Sequence, residues 1–203
     1  MNARRKAMDQ GELFAGEPAP SAGPEGFVYR DDAVSEALMR DLVPQFAVLP
    51  FKLFEFHGFT GNRRIVSYGW RYDYSSAVLR ESAPLPDFLL PLRQHAGEVA
   101  RVSPEHFQQA LVTEYTPGAG IGWHRDKPMF EDVVAFSFLA PCTLRFRRKQ
   151  GDGWARFARR IAPRSAYLLR GPARFLWEHS IPPLDALRYS VTFRTFRAGD
   201  VLS

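Results

Sequence analysis

Residues 133–148 read VVAFSFLAPCTLRFRR. The run spells two short strands, Val133–Leu139 and Thr143–Arg148, broken by a turn at Pro141. The same grammar extends outward in both directions. Upstream stands Leu111–Thr116; downstream come Trp154–Ile161, Ala166–Arg170, Phe175–Ser180 and Tyr189–Phe196, separated by Gly and Pro turns. Short strands in succession, with no helices between them, predict a barrel or a double-sheet jelly roll. Before them, residues 50–79 alternate aromatic with polar or basic residues around Gly58 and Gly61-Asn62, which predicts strands and a hairpin. Two helices are expected: one capped by Asp31-Asp32 and running through Leu42, the other opened by Pro86-Asp87 and ended before Ser103-Pro104. Residues 1–26, rich in Pro, Gly, Ala and Glu, read as a flexible tail, and 27–203 as one domain. The fold class is therefore α+β, mainly β.

Two hundred and three residues suffice to bury a sizeable core, and 45% hydrophobic with 24% charged residues excludes a disordered or collagen-like chain. One cysteine, Cys142, excludes an internal disulfide framework and points to a reducing compartment. No window of 18 apolar residues is present, so a cytoplasmic protein with no membrane contact is expected, and a monomer. The charge is less ordinary. Arginine supplies 23 of the 27 basic residues, against 22 acidic ones. Its planar fork suits phosphate and carboxylate, although a GC-rich genome also inflates arginine.

Only five histidines are present. His124 and Asp126 stand at the end of a Gly-rich turn, Gly118 to Trp123. In an extended segment, residues two apart project to one side, so imidazole and carboxylate can face one ion. His179, in an expected strand, can close the set from across a barrel. Two histidines and a carboxylate with open positions suit non-haem Fe(II); alone, a His-x-Asp pair is usually a surface hydrogen bond. Nine residues beyond His179 comes RYSVTFR (188–194). As a strand it puts Arg188, Ser190, Thr192 and Arg194 on one face and Tyr189, Val191 and Phe193 on the other. Either the first face is solvated, or it lines the interior and its arginines need anionic partners such as a dicarboxylate.

The order Tyr115…His124-Arg125-Asp126…His179…Arg188…Arg194 resembles the AlkB family of Fe(II)- and 2-oxoglutarate-dependent dioxygenases. The resemblance spans residues 105–197 motif by motif and 50–80 loosely. It implies a double-stranded β-helix (jelly-roll) core over 105–197, with N-terminal helices and a substrate lid in 27–104. It further implies Fe(II), 2-oxoglutarate and O2 as cofactor and co-substrates, and oxidative removal of alkyl groups from nucleic-acid bases. His124, Asp126 and His179 would then ligate iron. Arg188 would hold the distal carboxylate of 2-oxoglutarate with help from the Tyr115 hydroxyl, and Arg194 would lie near its oxalyl end. Thr113 and Ser190 stand where the family often has asparagine. Pro128 stands where some repair members carry an acid that reads the damaged base.

For a base substrate, Trp70, Tyr72 and Tyr74 offer stacking faces, and Arg63 and Arg64 offer cations beside them. From Arg145 to Arg174 nine arginines and Lys149 face a single acid, Asp152, a pattern suited to tracking phosphates. Alkylated DNA or RNA, single-stranded, is the expected partner. A protein side chain or small molecule as substrate, or a non-catalytic nucleic-acid-binding module, are the alternatives. The tail segment Gln10 to Phe14 (QGELF) resembles peptides that dock on the bacterial sliding clamp.

Overall fold

The computed structural model of the protein describes residues 23–56, 59–73 and 78–198; the sliding-clamp motif and Tyr74 lie outside them. Thirteen described strands form two face-to-face sheets and a ribbon. The larger sheet has seven strands, all antiparallel. In spatial order they are β1 (Phe27–Arg30), β11 (Ala166–Leu169), β8 (Phe130–Leu139), β13 (Arg188–Phe196), β6 (Phe107–Tyr115), β3 (Phe59–Tyr68) and β2 (Lys52–Phe56). The smaller runs β10 (Gly153–Ile161), β9 (Cys142–Gln150), β12 (Glu178–Ile181) and β7 (Ile121–His124). The ribbon pairs β4 (Trp70–Asp73) with β5 (Val78–Glu81). This is the expected α+β jelly roll.

Helices α1 (Glu36–Ala47) and α2 (Leu90–Ala100) cover the outer face of the large sheet. Val134, Phe136 and Phe138 of β8 meet them there, alongside Tyr189, Val191 and Phe193 of β13. Val133 and Ala135 point the other way, into a second core shared with Leu144, Phe146, Ile161 and Ile181 of the small sheet. With both faces covered, β8 is buried almost throughout, which is why its sequence is a continuous apolar run rather than an alternation. Strand β10 is an edge, and its exposed Arg156, Arg159 and Arg160 discourage pairing with another chain.

Four details depart from the sequence expectations. Helix α1 starts later, because Ser35 rather than Asp31-Asp32 accepts the amide of Leu38; Asp32 instead takes a left-handed turn at φ 49°. The strand expected over 175–180 begins only at Glu178, as β12, because Phe175 closes a one-turn helix, α3 (Gly171–Phe175), opened by Pro172. Strand β7 lies inside what reads as a glycine turn. Strand β1 was not expected. Among the described residues no helix is long and apolar enough to cross a membrane.

Gly69 joins β3 to the ribbon. Its φ is +72°, a Cβ there would lie 2.0 Å from the Gln108 carbonyl oxygen, and its backbone binds Ala83 and Ser82. Both conformation and space demand glycine. We expect Gly69→Ala to cost about 2 kcal/mol or more, read as a lowered midpoint in thermal or urea unfolding.

Candidate active site

Strands β7 and β12 place His124 opposite His179 in register. Directly paired residues of antiparallel strands project to the same face, so the rings meet: their centroids are 4.2 Å apart and tilted by 55°. Gly120 lets β7 approach this closely, since a Cβ there would lie 2.7 Å from the Ile181 carbonyl oxygen. Two residues beyond His124, Asp126 brings Oδ2 to 3.9 Å from His179 Nε2. Donors bridged by one ion with bonds of about 2.1 Å lie roughly 3 Å apart, so less than an ångström of closure separates this pair from that spacing. Among the described residues no three or more His, Cys, Asp or Glu side chains, this trio included, stand close enough together to form a ready-made metal cage. The donor set of two imidazoles and one carboxylate fits Fe(II).

Local electrostatics prepare these groups. His124 Nδ1 lies 2.9 Å from the Gly122 carbonyl oxygen, to which it donates, leaving Nε2 its lone pair. Burial lowers the pKa of His124 and takes that of His179 down to about 3, so both imidazoles are neutral at physiological pH. Burial alone would raise the pKa of Asp126. The permanent charges of Arg194, first, and Arg174 oppose it, and the carboxyl is held well below the usual range. Arg194 Nη2 donates to Asp126 Oδ1 at 2.8 Å and Nη1 to Gln109 Oε1 at 2.9 Å.

The centre opens into a cavity of about 1,090 Å³ between the sheets. Strand β13 turns Ser190, Thr192 and Arg194 into it. The face with two arginines is thus the interior one, and Tyr189, Val191 and Phe193 pack under the helices. Cross-strand pairing sets Ser190 against Thr113, Arg194 against Gln109 and Arg188 against Tyr115. Thr113 and Tyr115 line the cavity, whereas Arg188 lies one layer deeper, completely buried. Its guanidinium carbon is 5.0 Å from the Tyr115 ring centre and its Nε donates to Ser137 Oγ at 3.0 Å. Among the described residues neither Nη of Arg188, nor Nε of Arg194, has a hydrogen-bond partner. A buried guanidinium with an open fork is costly, and a carboxylate is the group that matches it.

The residues expected to meet substrate separate. Tyr72 and Arg63 line the cavity; the Lys127 ammonium lies 4.4 Å from the Tyr72 ring centre and the Arg63 guanidinium 3.8 Å from that of Phe54. Trp70 packs edge-on against Phe196, with ring centres 6.1 Å apart. Arg64 projects to the other face of β3, where its Nε donates to Glu114 Oε1 at 2.7 Å. Strand alternation separates it from Arg63. Pro128 also lines the cavity.

Two site residues escape the sequence reading. Gln109 carries no motif and is found only through its register with Arg194. Arg174, 2% exposed, donates to the Phe130 and Lys127 carbonyls, lines the cavity and, among the described residues, leaves Nε without a partner. Its only signal was its place in the basic run.

Comparison with known proteins bears on the family and the fold. The family model described as the 2OG-Fe(II) oxygenase superfamily matches residues 51–194. A protein of Arabidopsis thaliana named "Alkylated DNA repair protein ALKBH8 homolog" is 29% identical over 161 residues, covering 66% of this chain and 46% of that protein. An uncharacterised mimivirus protein, L905, is 34% identical over 98 residues, covering 42% of this chain and 47% of its own. The mouse protein named "tRNA (carboxymethyluridine(34)-5-O)-methyltransferase ALKBH8" is 26% identical over 142 residues, 66% of this chain but 21% of that protein. The chain thus spans half or less of the length of these relatives. Among solved structures, OsALKBH1 superposes with a TM-score of 0.60 at 15% identity, covering 84% of this chain and 96% of that one, which supports the fold.

Proposed function

This chain belongs to the 2OG-Fe(II) oxygenase superfamily, and from that premise we propose that it removes alkyl groups oxidatively from the bases of DNA or RNA. It is an AlkB-like dioxygenase that uses Fe(II), 2-oxoglutarate and O2. The observation that carries the assignment of residues is the buried, open fork of Arg188 behind a two-histidine, one-carboxylate trio.

In this reading His124, Asp126 and His179 would hold the metal. The chemistry it would supply there is decarboxylation of 2-oxoglutarate to succinate and CO2, with one oxygen atom of O2 entering the N-alkyl C–H bond; the hydroxylated carbon would then leave as an aldehyde and the base regain its proton. The chain's own residues orient and neutralise. Arg188 receives the distal carboxylate of 2-oxoglutarate in bidentate fashion, and Tyr115 adds its hydroxyl. Thr113 and Ser190 offer shorter hydrogen bonds beside it. Arg194, braced by Gln109, fixes the orientation of Asp126 and presents Nε toward the oxalyl end. At the mouth, Tyr72 offers a flat face to a base taken out of its stack, with the Lys127 and Arg63 cations nearby. Trp70 backs the ribbon through Phe196, and Arg64 steadies β3 through Glu114.

A nucleic-acid substrate is supported by the names of the Arabidopsis and mouse relatives, which refer to alkylated DNA and to tRNA, and by the arginines of β9 and β10. Not all of the basic run contributes. Arg164, Arg170 and Arg147 pair with Asp32, Asp132 and Glu178, and Arg174 is internal, so the outward charge is chiefly that of Arg148, Lys149, Arg156, Arg159 and Arg160. The test is a panel of N-methylated and etheno-modified DNA and RNA oligonucleotides assayed by mass spectrometry. Loss of the alkyl mass with stoichiometric aldehyde and succinate is expected, and 2-oxoglutarate turnover with no change in any oligonucleotide would overturn the substrate class. Affinity for a single strand is expected to fall with salt, with a log–log slope of about −0.7 per phosphate neutralised.

A further inference from the structure

A second cavity, of about 350 Å³, lies on the small sheet and shares one wall residue, Arg125, with the main one. Arg125 sits between His124 and Asp126, so the groove begins one residue from the centre. Its other walls are Arg147, Arg148, Lys149, Trp154, Leu176 and Glu178. The Arg147 guanidinium carbon lies 4.5 Å from the ring centres of both Trp123 and Trp154, the Lys149 ammonium lies 5.5 Å from that of Trp154, and Arg147 Nε donates to Glu178 at 2.6 Å. Trp123 belongs to the main cavity, so this Trp–Arg–Trp series links the centre to the groove.

The charge in the groove is unbalanced. Glu178 is its one carboxylate, and Arg147 takes it. Arg125 and Lys149 donate to the carbonyls of Phe175 and Asp152, and Arg148 lies over the Trp177 ring at 5.1 Å. Among the described residues, no carboxylate pairs with these three cations. Apolar surface accompanies them: Trp154 is 42% exposed and Leu176 51%. A stacking ring, an apolar side and phosphate-seeking cations, with the groove's carboxylate, Glu178, already held by Arg147, suit a single strand bound through its backbone and base faces.

Resting on the reading that the substrate is a nucleic acid, we infer that this groove takes the nucleotide next to the alkylated one. Its base stacks on Trp154, and its phosphate lies among Arg125, Arg148 and Lys149. The enzyme therefore prefers a strand to an isolated nucleotide.

The experiment compares a methylated single-stranded oligonucleotide with the same methylated mononucleotide, using the full chain supplied with Fe(II) and 2-oxoglutarate. In Trp154→Ala, the oligonucleotide-to-mononucleotide ratio of kcat/KM should fall about tenfold through KM, the effect of losing one base–aromatic stack. Trp154→Phe should recover most of it. An unchanged ratio while the parent dealkylates the oligonucleotide overturns the groove assignment and leaves the proposed function standing. A parent inactive on both substrates overturns the proposed function and, with it, this inference. Trp154-dependent binding of a poly-glutamate peptide tighter than that of an unmethylated oligonucleotide would assign the groove to acidic peptides instead.

Discussion

Asp126→Ala is expected to lower 2-oxoglutarate turnover by about 10³-fold or more. Changing a residue that merely supports a metal ligand costs about 10–100-fold, and Asp126 is the only carboxylate of the trio. The same change withdraws the partner of Arg194 and leaves a cation buried between Gln109 and the centre. Stability should therefore fall by about 3–5 kcal/mol, as when one member of a buried pair is lost. Asp126→Asn keeps the shape and a hydrogen-bonding oxygen, so it should fold better than the alanine variant and still bind Fe(II) or Co(II) poorly in calorimetry. Turnover within tenfold of the parent in Asp126→Ala would remove this residue from the centre.

Arg188→Met should divide two properties that usually move together. The co-substrate requirement rises by about 100-fold, because two charge-assisted hydrogen bonds to a carboxylate disappear. The unfolding temperature without 2-oxoglutarate stays level or rises, since a fully buried guanidinium with both Nη unpartnered is replaced by an apolar chain of similar length. The stabilisation that 2-oxoglutarate gives the parent should vanish in the variant; it follows from ligand linkage and is read by thermal shift. A variant still stabilised by 2-oxoglutarate at the parent's concentrations would mean that another residue, Arg174 or Arg194, holds the co-substrate.

What could be read from the sequence followed from period and what could not followed from context. The β13 pattern declared two faces with different chemistry but not which face was interior. That choice belongs to α1 and α2, which cover Tyr189, Val191 and Phe193 and leave the arginines facing the second sheet. Strand β7 was hidden because Gly118, Gly120 and Gly122 signal a turn, while the pairing that makes Ile121–His124 a strand comes from β12, more than 50 residues away. The start of α1 was misplaced for a smaller reason: two aspartates and one serine compete as caps, and only the path of the chain decides for Ser35. In the site, His124, Asp126 and His179 were legible as chemistry. Gln109 and Arg174 act through position alone, and position is a product of register. The arginine run was legible as charge, yet its division into internal ties at 164–174 and an outward face on β9 and β10 required partners from distant segments, Asp32 and Asp132 among them.

The place of β13 also sets a timescale. It is the middle strand of seven, and from Arg188 to Arg194 every residue pairs with both β6 and β8. Amides so placed exchange with deuterated solvent only when the whole molecule unfolds, while a two-stranded ribbon such as β4–β5 opens by local fluctuation at far lower cost. The mouth of the cavity can therefore be remodelled many times for each disturbance of its floor, so products and substrates pass while the residues behind them keep their places.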